Sequence, residues 1–164
     1  MMSIRAAIAT DIEAIKTIAV ETDMFSADDV GFVGGAVTGV GDVALGNHRW
    51  LVAENDDATV IGAAYYAPEP FSDRMWNLYF ISVTPARQGS GIGGMLIDHV
   101  ESELRQRGPG AAQVLIVETS STDQYAQNRR FYPKHGFVEA ARIRQFYGPD
   151  DHKVVFWKSL TTDR

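Results

Sequence analysis

The sequence predicts an α+β fold built on a mixed, mostly antiparallel twisted sheet. Three observations lead there. Residues 49–83 read as three strands in succession, which is a meander rather than a βαβ start. A helical apolar pattern separates the β-prone runs Met75–Val83 and Val114–Glu118, so one right-handed crossover is expected in the middle of the sheet. The last two strands follow one another across Gly148-Pro149-Asp150-Asp151, the composition of a turn. The predicted order is β-α-α-β-β-β-α-β-α-β-β. With 164 residues and no repeat or Pro/Ser-rich linker, residues 1–164 are expected to form one domain.

Ser3 to Ile8 reads as a short strand. Thr10 has the character of an N-cap, with Glu13 three residues on as the second half of a capping box. Ile12, Ile15 and Ile18 then follow at helical spacing, which predicts a helix over residues 11–20. Ser26-Ala27-Asp28-Asp29 is a second helix start. The stretch to about residue 40 is rich in glycine, and each interior glycine costs about 1 kcal/mol against alanine.

Arg49–Glu54 and Thr59–Ala67 are the first two meander strands, joined by Asn55-Asp56-Asp57. Pro68-Glu69-Pro70 begins a loop. Met75–Val83 carries Trp76, Leu78, Tyr79, Phe80, Ile81 and Val83, a strongly β-prone set. The next helix starts near Gly91, shows Ile92, Met95, Leu96, Val100 and Leu104 on one face, and ends at Gly108-Pro109-Gly110. Val114–Glu118 is continuously apolar up to its last residue, which suits a central strand. Residues 122–135 predict a helix closed by Gly136, and Pro133 inside it removes one hydrogen bond. Phe137–Phe146 and Lys153–Trp157 complete the sheet.

Composition removes several function classes. The net charge of −6 argues against a nucleic-acid binder, which usually shows a basic face. With no cysteine, there is no disulfide, thiolate metal site or cysteine nucleophile. His48, His99, His135 and His152 lie far apart and fit no metal-ligand spacing, so no metal is expected. No run approaches the roughly 20 apolar residues of a membrane span. Asp11 and Glu13 interrupt any signal-peptide core, and a cytoplasmic location is the default expectation.

The chemistry concentrates in Val83-Thr84-Pro85-Ala86-Arg87-Gln88-Gly89-Ser90-Gly91-Ile92-Gly93-Gly94. Strand, glycines and helix start in that order make an anion site. The first-turn N–H groups of a helix lack internal partners, and glycines let a phosphate come close to the backbone. Gly89, Gly91 and Gly94 also spell a dinucleotide fingerprint, with Glu118 near the place of its ribose acid. Against that alternative, Thr84 to Gln88 separate strand from glycines, a meander precedes them, and 46 residues after Glu118 are too few for the remaining fold.

Gln88-x-x-Gly91-x-Gly93, after a hydrophobic strand and Pro85, resembles the acyl-CoA signature of the GNAT superfamily of N-acetyltransferases. Tyr132-x-x-x-Gly136-Phe137 resembles a second element of that superfamily, and the element order from Ser3 to about Leu160 is similar to it. The resemblance implies a GNAT-like sheet flanked by about four helices. It implies acetyl-CoA as co-substrate, with the pantetheine arm along the backbone of Ile81, Ser82 and Val83. The N–H groups of Gln88, Gly89, Ser90, Gly91, Ile92 and Gly93, with Gly94 nearby, would hold the pyrophosphate. Arg87 would add charge there, the alternative being a solvated surface arginine. Many relatives have Asn and Ala where this chain has Tyr125 and Asn128. Asn128 is kept as a pantetheine contact.

The predicted function is transfer of an acetyl group from acetyl-CoA to a primary amine by direct attack in a ternary complex. Glu118, at the end of its strand, is the candidate general base, the alternative being a strand-end acid in an ion pair. No acid occurs within residues 75–83, where another branch of the superfamily carries its base. Tyr132 is the candidate acid toward the thiolate, the alternative being a half-buried aromatic. Phe71, Trp76 and Tyr147 are candidate acceptor walls, though such residues are more often sheet packing. A small amine or amino acid is favoured over a protein acceptor, without nucleic acid or membrane. Monomer and homodimer both stay open. A non-catalytic acyl-CoA-binding module is the second functional reading.

Overall fold

The computed structural model describes residues 2–24, 48–108 and 110–161. The helix start expected at Ser26 lies outside the described residues. Seven strands and three α-helices are described: β1 (Ser3–Ala6), α1 (Ile12–Glu21), β2 (Arg49–Glu54), β3 (Val60–Pro68), β4 (Met75–Val83), α2 (Ile92–Arg105), β5 (Val114–Ser120), α3 (Ala126–Lys134), β6 (Val138–Gly148) and β7 (Asp151–Ser159). The strands form one sheet in the order β1-β2-β3-β4-β5-β7-β6. The chain divides into two compact units, Met1–Ala67 with Phe80–Val100, and Pro68–Tyr79 with Glu101–Arg164.

In the first unit β1 pairs with β2 and β2 with β3, both antiparallel. The Asn55-Asp56-Asp57 turn forms as expected, with the Asn55 and Asp57 side chains both accepting the Thr59 N–H (3.0 and 3.1 Å). Ile15 and Ala19 of α1 pack with Trp50, Val52, Ala63 and Phe80 in one apolar cluster. Removal of these side chains from water is the main driving term for this part of the fold.

The start of α1 differs from the expected capping box. A 3-10 turn at Ala9–Asp11 precedes the helix, and the Asp11 carboxylate reaches back to the first N–H of that turn while no hydroxyl caps α1. Asp11 Oδ2 accepts the Ile8 N–H at 2.8 Å. Its two oxygens also take a forked pair of bonds from Arg5 at 2.7 and 3.0 Å. A buried carboxylate satisfied by a guanidinium outcompetes a hydroxyl cap.

In the second unit β4 pairs parallel with β5, β5 antiparallel with β7, and β7 antiparallel with β6. Val114–Glu118 is thus part of an interior strand, as its apolar run predicts. The β6–β7 hairpin closes at Gly148 and Asp151. Pro133 lies inside α3. Gly136 just past it has φ +89°, so the helix ends on the residue able to adopt that conformation without strain.

Along α2 the buried stripe is Ile92, Leu96, Val100 and Leu104, flanked by Ile97. Met95, expected on that face, is 48% exposed. The stripe advances by four residues, and Met95 sits a full 100° step before Leu96.

Candidate active site

The glycine segment meets the requirements of an anion cradle. After β4, a 3-10 turn at Pro85–Arg87 leads into Gln88, whose side chain donates to the Val83 carbonyl (3.1 Å). Ser90 Oγ donates to the Arg87 carbonyl and so ties the loop to its own start. The helical ladder opens with the Met95 N–H bonding the Gly91 carbonyl at 3.1 Å. None of the N–H groups from Gly89 to Gly94 has a backbone acceptor among the described residues. Gly89 and Gly91 stand at φ +80° and +89°, and a Cβ at either would meet nothing within 4 Å. Open space therefore faces a run of backbone donors at a helix start, an arrangement able to hold an anion. Arg87 is exposed beside them.

The β4 backbone is arranged to accept an extended ligand. Its pairing with β5 covers only Met75–Leu78 with Val114–Val117. From Tyr79 to Val83 the strand runs on without that partner. Ile81 and Val83 are half-buried, while the Ser82 side chain is buried and donates to Thr22 Oγ1 at 2.8 Å. Ser82 can thus contribute its backbone to a ligand while its hydroxyl is committed elsewhere.

Glu118 lies on β5 in the second unit, in a polar cluster. Lys153 Nζ contacts Oε2 at 3.2 Å, and Asn77 Nδ2 reaches Oε1 at 3.3 Å. Lys153 also lies 3.5 Å from the centre of the Phe146 ring. The ion-pair alternative is therefore present, with lysine as the partner. Each carboxylate oxygen keeps a further lone pair for a proton donor, so the pair does not consume the group.

Sequence reasoning missed the rest of the cluster. Asn77 is 1% exposed, and its Nδ2 donates to Glu69 Oε2 at 2.9 Å as well as to Glu118. Tyr79 donates its hydroxyl to the same Glu69 oxygen at 2.8 Å. An acid from the Pro-Glu-Pro loop is thus held against β4, the strand that lacks one of its own. Asn77 was the available signal, an amide in a strand otherwise dominated by apolar and aromatic residues.

Tyr132 is 3% exposed, edge-on to Phe131 and Phe137 and tilted against Phe156. Burial pushes its phenol well above the ordinary range, so the hydroxyl stays protonated and able to donate. No described residue hydrogen-bonds that hydroxyl. The Tyr132 carbonyl accepts the Phe137 N–H at 3.2 Å, which builds the Tyr-x-x-x-Gly-Phe turn around the ring. Asn128 is half-buried and its amide has no hydrogen-bond partner among the described residues.

The three expected acceptor walls separate. Tyr147 is 48% exposed, and its phenol is pushed up to about 12 by burial and by the negative charges of Glu118 and Asp151. Its ring lies edge-on to Phe146, over which Lys153 sits. Phe71 is fully exposed at φ +67°. Trp76 is buried, donates Nε1–H to the Ala111 carbonyl at 3.3 Å and carries Arg107 4.5 Å above its ring. These are core surroundings. Among the described residues no group of three or more potential metal ligands occurs. No described helix is long and apolar enough to cross a membrane.

A mixed sheet whose middle strand leads through a glycine loop into a helix is the architecture of a protein that can hold an anionic ligand at that helix start. The sequence profile of the acetyltransferase (GNAT) domain matches residues 46–139, more than half of the chain, and the protein belongs to that family. No curated protein sequence matches it. Among solved structures, it is similar to a protein of Desulfovibrio desulfuricans assigned to the GNAT acetyltransferases. That pair has TM-score 0.87 and 28% identity, covering 98% of this chain and 100% of the other. A Salmonella typhimurium protein assigned as an acetyltransferase, with acetyl-CoA bound, has TM-score 0.78 at 22% identity, covering 98% and 94%. The ribosomal-protein-S18-alanine N-acetyltransferase of Escherichia coli has TM-score 0.75 at 20% identity, covering 100% and 97%.

Proposed function

We propose that this chain is a single N-acetyltransferase domain that moves an acetyl group from acetyl-CoA to a primary amine by direct attack. The observation that carries the donor half is the run of unpaired N–H groups from Gly89 to Gly94 with open space before Gly89 and Gly91. The chain has no cysteine to form a thioester with the enzyme. Bound acetyl-CoA supplies the activated acetyl thioester.

This chain's own residues would do the rest. The donors at 89–94 hold the pyrophosphate, with Arg87 adding charge and Asn128 offering a free amide to the pantetheine. The unpaired edge of Ile81–Val83 receives the pantetheine amides as a neighbouring strand would. An amine of pKa near 10.4 arrives mostly protonated, so a proton must go to the protein or to water before attack. Glu118 takes that proton on whichever lone pair Asn77 and Lys153 leave free. Tyr132, neutral and without an internal acceptor, donates its proton to the departing sulfur.

A screen of amines for release of free CoA thiol tests this reading. Tyr132→Phe should lower kcat by about 100-fold or more, the usual worth of a positioned acid. Its melting temperature should barely move, because no internal hydrogen bond is lost. Turnover unchanged in both Tyr132→Phe and Glu118→Gln would remove the catalytic assignment.

The engagement of Glu118 by Lys153 and Asn77 favours one second reading, an acyl-CoA-binding module without turnover. Tight acetyl-CoA binding with no thiol release across the amine panel would select it. The dinucleotide alternative has no support in a sheet whose meander and family match are both of the acetyltransferase type.

A further inference from the structure

Within the second unit, Glu69 stands apart from its neighbours. Glu101 pairs with Lys158 and Arg105, Glu118 with Lys153, and Glu139 with Arg142. Glu69 is half-buried and receives only neutral donors, the Asn77 amide and the Tyr79 hydroxyl. No cation of the described residues pairs with it. A partly buried carboxylate without a counter-charge is costly unless something else supplies one.

Asn77 gives the second, independent sign. Its Nδ2 lies between Glu69 and Glu118, and its Oδ1 on the same carboxamide is buried with no hydrogen-bond partner. Buried carbonyl oxygens are nearly always paired, so an orphan acceptor at this point marks a missing donor. Glu69 needs positive charge and Asn77 needs a hydrogen-bond donor. A substituted ammonium supplies both. Because both carboxylates touch one nitrogen, their nearest oxygens lie within about 6 Å of each other. Lys153 balances only one of them.

We infer that Glu69, held by Asn77 and Tyr79, binds a second positive charge of the acceptor, so that the enzyme selects diamines over monoamines and over amino acids. The inference rests on the proposed amine acetylation, in which Glu118 serves the reacting nitrogen. Glu69 serves the nitrogen that is not acetylated. A free amino acid would bring its own carboxylate toward two glutamates and be repelled, which narrows the acceptor class expected from sequence.

The test is equilibrium binding by calorimetry to the full chain with CoA present, using 1,4-diaminobutane, butylamine and 4-aminobutyrate. The diamine should bind at least 10-fold more tightly than butylamine, and 4-aminobutyrate more weakly than either, the size expected of one charge-assisted contact. Glu69→Gln keeps the shape and an acceptor oxygen for Asn77 or Tyr79, and should bring the diamine down to the level of butylamine. Glu139→Gln removes the same charge from an exposed ion pair and should keep the preference. The inference is overturned if butylamine matches the diamine, or if Glu69→Gln retains the preference at an unchanged melting temperature. Asn77→Leu is the second probe. It keeps roughly the shape, removes the amide that holds Glu69 without adding charge, and should also weaken the preference. Thiol release measured alongside separates the two readings. Diamine preference in binding without turnover sinks the acetylation proposal only, and turnover without preference sinks this one only.

Discussion

A side chain at Gly91 should damage acetyl-CoA binding at least as much as it damages the protein. At φ +89° any L-residue pays about 1–2 kcal/mol of backbone strain, and valine sits at the upper end. A Cβ there meets nothing within 4 Å, so the unliganded fold adds no clash to that cost. The same open space is where a phosphate oxygen would approach the N–H groups. Loss of one hydrogen bond to a charged group is worth about 1.5–3 kcal/mol. That converts to roughly 10- to 150-fold in Kd. Gly110 supplies the control, because it too has positive φ, +83°, and open space, but lies outside the loop. Titration calorimetry with acetyl-CoA should therefore show weak binding for Gly91→Val and normal binding for Gly110→Val, with similar losses of melting temperature. Undiminished affinity in Gly91→Val would refute the cradle, and equal weakening in both variants would show that strain alone is responsible.

Gly62→Ala should cost about 1–3 kcal/mol, because its Cβ would lie 3.3 Å from Ile92 Cγ2, Leu96 Cδ1 and the Ser82 carbonyl; urea unfolding measures it. Glu101 is 3% exposed between Lys158 (2.9 Å) and Arg105 (3.2 Å). Glu101→Ala should destabilise by about 2–4 kcal/mol, reduced from a fully buried pair because both cations reach solvent, and thermal melting at two salt concentrations will show it. The hydrogen bonds from Arg5 hold the Asp11 carboxyl below its usual range. A depressed acid stabilises above its unfolded pKa and loses that contribution as pH falls through the folded value. Stability should therefore drop below about pH 4, and Arg5→Met should flatten the drop in acid-unfolding curves.

How much of this was legible in the chain itself follows from the range of the interactions. The strand, helix and turn pattern was readable because apolar periodicity and residues such as Gly136 act over a few positions. So was the glycine cradle, since its donors, its helix start and its positive-φ glycines are consecutive. The start of α1 departs from the expected capping box because Asp11 answers to Arg5, which also bonds Glu54 on β2, a contact no local rule contains. Met95 was misplaced because a helix face is defined only once its neighbours are present.

The acceptor side shows the same division most clearly. The family was legible because Gln88-x-x-Gly91-x-Gly93 and Tyr132-x-x-x-Gly136-Phe137 are each written in adjacent residues, whereas Glu118 is a candidate only from its place on a strand. Only the tertiary structure decided that Trp76 is core and that Glu69 is carried onto β4. Those outcomes depend on hydrogen bonds between residues 8 to 41 positions apart, which the chain can make only after the sheet has brought them together.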